Sequence, residues 1–70
     1  MNMQPVNSSN ISHVGYDHER GVLGVQFKGG GLYHYHGITP QHYSAFLSAP
    51  SLGSHLHTNI KPAATKVEKI

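Results

Sequence analysis

The apolar residues of this chain change period once, and that change bounds what it can fold into. Leu23, Val25 and Phe27 recur at alternate positions, the pattern of a strand with one buried face. Tyr43, Phe46 and Leu47 recur at i, i+3 and i+4, the pattern of one helix face. Strand patterns come first and helical patterns follow, so the expected class is α+β rather than an alternating α/β chain. The 70 residues allow a single small domain. A domain of this size buries only about 60% of the surface its unfolded chain exposes, so its core is thin. With no cysteine, the chain has no disulfide staple, thiolate metal site or Cys nucleophile, and a reducing, cytoplasmic setting is the default expectation.

Punctuating residues divide the chain. Residues 1–10 are polar and aperiodic, with Pro5, Asn7, Ser8, Ser9 and Asn10, and read as a flexible leader. A first strand starts at Ile11 and reaches Tyr16. Asp17 to Gly21 form a polar turn, and Val22 to Phe27 return antiparallel. Gly29, Gly30 and Gly31 interrupt the extended pattern, which Leu32 to His36 resume. In that third strand Tyr33 and Tyr35 share one face, and Leu32, His34 and His36 share the other. Thr39 and Pro40 suit the N-cap and first residue of a helix that Pro50 ends. Ser51 can cap a second short helix carrying Leu52, Leu56 and Ile60, expected to end before Pro62. Residues 62–70 read as a flexible tail. The expected architecture is therefore a three-stranded antiparallel β-meander followed by a helix and a second short helix, βββαα, with the folded domain spanning 11–61. One sheet face is closed by helix and the other is open.

Charge and motifs exclude more than they select. Five Lys and Arg against three Asp and Glu give +2, too small an excess to mark a nucleic-acid binder by itself. The seven histidines would carry the formal charge to +9 if all were protonated. No apolar run approaches the ~20 residues of a membrane span, and residues 1–10 lack the basic and apolar regions of a secretion signal. His34 and His36 project from one strand face at a spacing a metal could bridge, with His13, His18, Asp17 and Glu19 as the available further ligands. No recognised zinc spacing accompanies them, and histidines on a polar sheet face are the simpler reading. His55 and His57 fall on nearly opposite sides of a helix. Asp17, His18 and Glu19 are titratable neighbours in a turn, without the pocket or partner constellation that acid–base catalysis needs. The glycine triplet precedes a strand rather than a helix N-terminus, so it reads as a hairpin loop and not a phosphate cradle. No catalytic residues, metal site or small-molecule cofactor are expected.

Taken together, Ile11, Val14-Gly15-Tyr16-Asp17, Leu23-x-Val25-x-Phe27, Tyr33-His34-Tyr35, Ile38, Tyr43, Phe46-Leu47, Ala49, Ser51-x-Gly53 and Ile60 resemble the KTSC domain. That family occurs alone in bacterial and phage proteins and at the C-terminus of some lysyl-tRNA synthetases. Thr39 stands where the family usually has Pro, and His55-Leu56-His57 replaces a more aromatic segment. The resemblance implies a small noncatalytic module, and the synthetase association implies RNA as its partner.

The candidate nucleic-acid contacts are Tyr33, His34, Tyr35 and His36 on the third strand, with Lys28, Arg20 and Lys61 for phosphates. Tyr33 and Tyr35 serve equally well as core, and the thin apolar inventory favours that placement. If the histidines contribute, affinity rises as pH falls through about 6.5 and drops with salt. The alternative function is a protein-interaction module or homodimer using the open sheet face or an unpaired strand edge.

Overall fold

A computed structural model describes residues 1–70. Five strands form one antiparallel sheet in chain order: β1 (Gln4–Pro5), β2 (Ile11–Asp17), β3 (Val22–Phe27), β4 (Leu32–His36) and β5 (Lys66–Lys69). Helix α1 (Pro40–Leu47) follows β4. A second helical stretch, 52–63, comprises α2 (Leu52–His55), a π turn (Leu56–Ile60) and α3 (Lys61–Ala63). No helix is long and apolar enough to cross a membrane.

The three central strands and both helical regions match the order of the apolar periods. The expected three-stranded sheet is corrected to five, because the segments expected as leader and tail each supply an edge strand. Neither has an apolar period, and both are held by hydrogen bonds to strands already formed. Gln4 pairs with Val14 and Pro5 with His13 on one side, and Tyr33 pairs with Lys69 and Tyr35 with Val67 on the other. The two edges on which strand-addition dimerisation would draw are thus occupied by the chain's own ends. The new outer edges carry Pro5 and the lysines Lys66 and Lys69, residues that discourage further pairing.

A β-bulge makes the core possible. Ile11 and Val14 would point to opposite faces of a regular strand, yet both are fully buried. The register with β3 slips between Ile11 and His13, which turns Ile11 back onto the core face. Ser12 Oγ donates to the Gln26 carbonyl there at 3.1 Å. Leu23, Val25 and Tyr35 complete the sheet's contribution, and Ile38, Phe46, Leu52, Leu56 and Ile60 cover it. Of the α1 residues expected to seal the sheet, Phe46 is buried and Tyr43 packs at the margin, stacked on Tyr16 at 4.6 Å. Leu47, in contrast, is exposed. It is the last residue of a two-turn helix, and the second helical stretch supplies the remaining cover instead.

Local chemistry explains both helix starts. Thr39 Oγ1 accepts from the His42 amide at 3.1 Å, and the Thr39 amide donates to His42 Nδ1 at 3.3 Å, a reciprocal capping box with histidine in the usual Glu position. Ser51 Oγ accepts from the Ser54 amide at 3.3 Å. The second helix does not stop before Pro62 as expected. Proline has no N–H for the Thr58 carbonyl, and the chain absorbs this by widening to a π turn in which the Lys61 amide donates to Leu56, five residues back.

The outer face is not open throughout. Gly15 and Gly24 are cross-strand partners, and they leave a depression that Met1 and Met3 occupy. A Cβ on Gly24 would stand 2.5 Å from Met1 Sδ, and one on Gly15 would stand 2.7 Å from Met3 Sδ. The free part of that face is reduced to the region of Gln26, His34 and His36.

Candidate functional site

The sheet separates the sequence candidates into two groups. Tyr33 and Tyr35 face the helices, and His34 and His36 face the other way, as strand alternation requires. The imidazole rings of His34 and His36 lie 6.4 Å apart. Nε2 of His36 donates to Oε1 of Glu68 on β5 at 2.9 Å. The His36 hydrogen bond, aided by Lys66, holds the Glu68 carboxyl below its ordinary value. His36 is therefore engaged within the fold, and no three ligand-type side chains converge there or elsewhere.

The depressed Glu68 value makes β5 docking acid-sensitive. A carboxylate whose folded pKa lies below its unfolded value stabilises the fold above the ordinary carboxylate range, and the contribution disappears as pH falls through the folded value. Amide exchange should show wild-type β5 losing protection below about pH 4. Glu68→Gln should be less protected than wild type near neutrality and lose the difference in acid. Equal protection of the two proteins at neutral pH would contradict this role for the pair.

Arg20 lies at the far end of the sheet, beside Asp17 at 4.0 Å, in the turn between β2 and β3. Asp17 Oδ1 accepts from the amides of Glu19 at 3.1 Å and Arg20 at 3.2 Å, so the acidic cluster organises a turn. This position separates Arg20 from the tyrosines.

The remaining candidates meet at the opposite end. Two clefts of about 260 and 380 Å³ share Phe27, Tyr35 and Lys61 as common walls. The first adds Asn10, Gly53, Leu56 and His57, and the second adds Gly30, Tyr33 and Val67. Phe27 and Tyr33 meet edge to face at 5.5 Å. Tyr35 is 5% exposed and its hydroxyl has no protein hydrogen-bond partner, although it borders both clefts. Burial, with Tyr33 nearby, raises its phenol above the ordinary value, so the group stays protonated and can both donate and accept. Lys28 lies in the turn framing the site, its amide bound to the Asn10 carbonyl at 2.8 Å. Lys69 stands opposite Tyr33 in the β4–β5 register. No carboxylate side chain lines either cleft: Asp17 and Glu19 occupy the far turn, and Glu68 is tied to His36 on the other face.

Asn10, His57 and Val67, which line the clefts, and Lys69, opposite Tyr33 in the sheet, are not among the contacts the sequence singled out. Asn10 and the β5 pair sit in segments without periodicity. His57 is exposed and reaches the cleft rim from the helical stretch that passes Pro62.

The fold and this cleft define a class: a small antiparallel sheet with helices on one face and an aromatic, lysine-framed cleft where the two meet. A KTSC domain model matches residues 7–63. A protein of Stutzerimonas stutzeri named only as uncharacterised is 40% identical over 57 residues, covering 81% of this chain and 80% of its own. A protein of Tsukamurella paurometabola is 38% identical over 60 residues, covering 86% and 90%. The crystal structure of a KTSC domain protein from Yersinia pestis superposes with a TM-score of 0.91 at 36% identity, over 99% of this chain and 96% of that one. The chain belongs to the KTSC domain family.

Proposed function

We propose that the protein is a noncatalytic binding module that engages single-stranded RNA through the cleft end of the sheet. The observation that carries this reading is the meeting of Tyr33, Tyr35 and Lys61 at one cleft, with Lys28 and Lys69 on the segments around it and every acidic side chain elsewhere. Cations beside aromatic surface are what a single strand requires: phosphates release counterions to lysine, and unstacked bases find apolar faces. Of the sequence candidates, His34, His36 and Arg20 fall outside this surface, and His57 replaces them as its imidazole.

Titration of the labelled full chain with short RNA and DNA, followed by two-dimensional amide spectra, tests the reading. Shifts should cluster at Asn10, at 27–33, at 57–61 and at Lys69, and should shrink as salt is raised. Lys61→Ala should weaken binding evenly across sequences and lower the salt slope by about one ion. No shifts at low salt, or shifts confined to the Asp17–Arg20 turn, would overturn it.

A further inference from the structure

The two clefts meet at Tyr35, and this says what unit of a ligand they fit. The deeper lobe is walled by Phe27, Leu56 and Gly53, and Asn10, Tyr35, His57 and Lys61 are the polar residues that line it. The shallower lobe runs past Tyr33 and Val67. At about 260 and 380 Å³, the two together fall in the range of ~300–1,000 Å³ typical of small-ligand pockets. A purely apolar ligand would displace water from the Tyr35 hydroxyl, which has no protein partner, without replacing the hydrogen bond. A simple anion would use Lys61 and none of the aromatic walls.

Deepening the RNA reading on which it rests, we infer that this two-lobed cleft is a site for one nucleotide. The base lies in the deeper lobe with its polar edge against Tyr35, Asn10 and His57, and the phosphate lies on Lys61. A base edge carries donors and acceptors side by side, and Asn10 and the neutral Tyr35 phenol each supply both. The phosphate matches the single charged group shared by the two lobes. The site leaves open whether the nucleotide arrives free or within a strand, since the recognised chemistry is the same.

Gly53 supplies a variant that tests the site without replacing any of these polar groups. It lies in α2 with ordinary helical backbone, and the nearest atom to an added Cβ is Asn10 Nδ2 at 3.5 Å. Gly53→Leu therefore fills the lobe while raising helix propensity. The full chain is titrated with adenosine 5′-monophosphate, uridine 5′-monophosphate, ribose 5-phosphate and a six-nucleotide RNA, each followed by amide spectra.

Nucleotides should shift Asn10, Gly53, His57 and Lys61, and ribose 5-phosphate should bind at least about tenfold more weakly, as expected for a base–aromatic contact. Gly53→Leu should keep a dispersed spectrum and lose these shifts. Tyr35→Phe should weaken nucleotide binding by about two- to tenfold, the usual effect of one hydrogen bond. Nucleotide binding without RNA binding would uphold the site, assign it to a free nucleotide and overturn the RNA reading. RNA binding unaffected by Gly53→Leu, with no response to mononucleotides, would overturn the one-nucleotide site and leave the RNA reading standing. Silence from every ligand would overturn both.

Discussion

Replacing Phe46 by alanine should unfold the domain. Phe46 has no exposed surface and is the single fully buried residue of α1, the element that closes the inner face of the sheet. It lies among Ile11, Leu23, Val25, Ile38 and the second helical stretch, and its ring is 6.0 Å from that of His55. Phe→Ala in a core costs about 3–5 kcal/mol, combining lost transfer energy with the cavity left behind. A disulfide-free core of this size rarely supplies more than ~3–5 kcal/mol. The substitution therefore consumes the whole margin. The amide spectrum should collapse to unfolded dispersion, while Phe46→Leu, which keeps most of the volume, should fold with a lowered urea midpoint. A dispersed Phe46→Ala spectrum with a cooperative transition and a loss under about 1 kcal/mol would show that the core lies elsewhere.

The second large effect is expected at Gly37, where β4 hands the chain to α1. Its φ is +78°, in the left-handed region that costs a non-glycine residue about 1–2 kcal/mol. The position is also crowded: a Cβ would stand 2.8 Å from both Cγ2 and Oγ1 of Thr65. Thr65 begins the return to β5, and its amide donates to the His36 carbonyl at 2.9 Å. Gly37→Ala should therefore both destabilise the fold and loosen β5, seen as a lower denaturation midpoint and faster amide exchange at Lys66–Lys69. Gly29 is the control. It lies in the β3–β4 turn with ordinary φ and nothing within 4 Å of an added Cβ. Gly29→Ala should be neutral or slightly stabilising through the unfolded chain. Equal effects at the two glycines would overturn the assignment.

The consequences of Gly37→Ala reach the cleft as well, because β5 contributes Val67 to one lobe and places Lys69 beside Tyr33. The same dependence applies at the other end of the chain. Asn10 lies just outside β2, and its place in the deeper lobe is held by the bond from Lys28. The candidate site thus joins core residues such as Tyr35 and Leu56 to segments that do not build the core.

This is also where sequence legibility ends. The alternation through Phe27 and the helical spacing at Tyr43 and Phe46 placed the three central strands and α1, because each period matches a face that must be buried. Thr39 and Ser51 marked both helix starts through side-chain caps. The ordered series from Ile11 to Ile60 carried the family. Tyr33 and Tyr35 were legible as inward-facing, and their shared cleft with Lys61 was not.

What the amino-acid order determined alone is therefore the set of elements whose stability is local or periodic: strands with one apolar face, helices with caps, and turns at glycine or proline. Only the tertiary structure decided the edge strands, the bulge that turns Ile11 inward, the passage of the helix through Pro62 and the cleft itself. Gln4–Pro5 and Lys66–Lys69 have no apolar period to announce them. They become strands only because a formed sheet offers unpaired backbone groups at its edges, and those groups exist once residues distant in sequence have met.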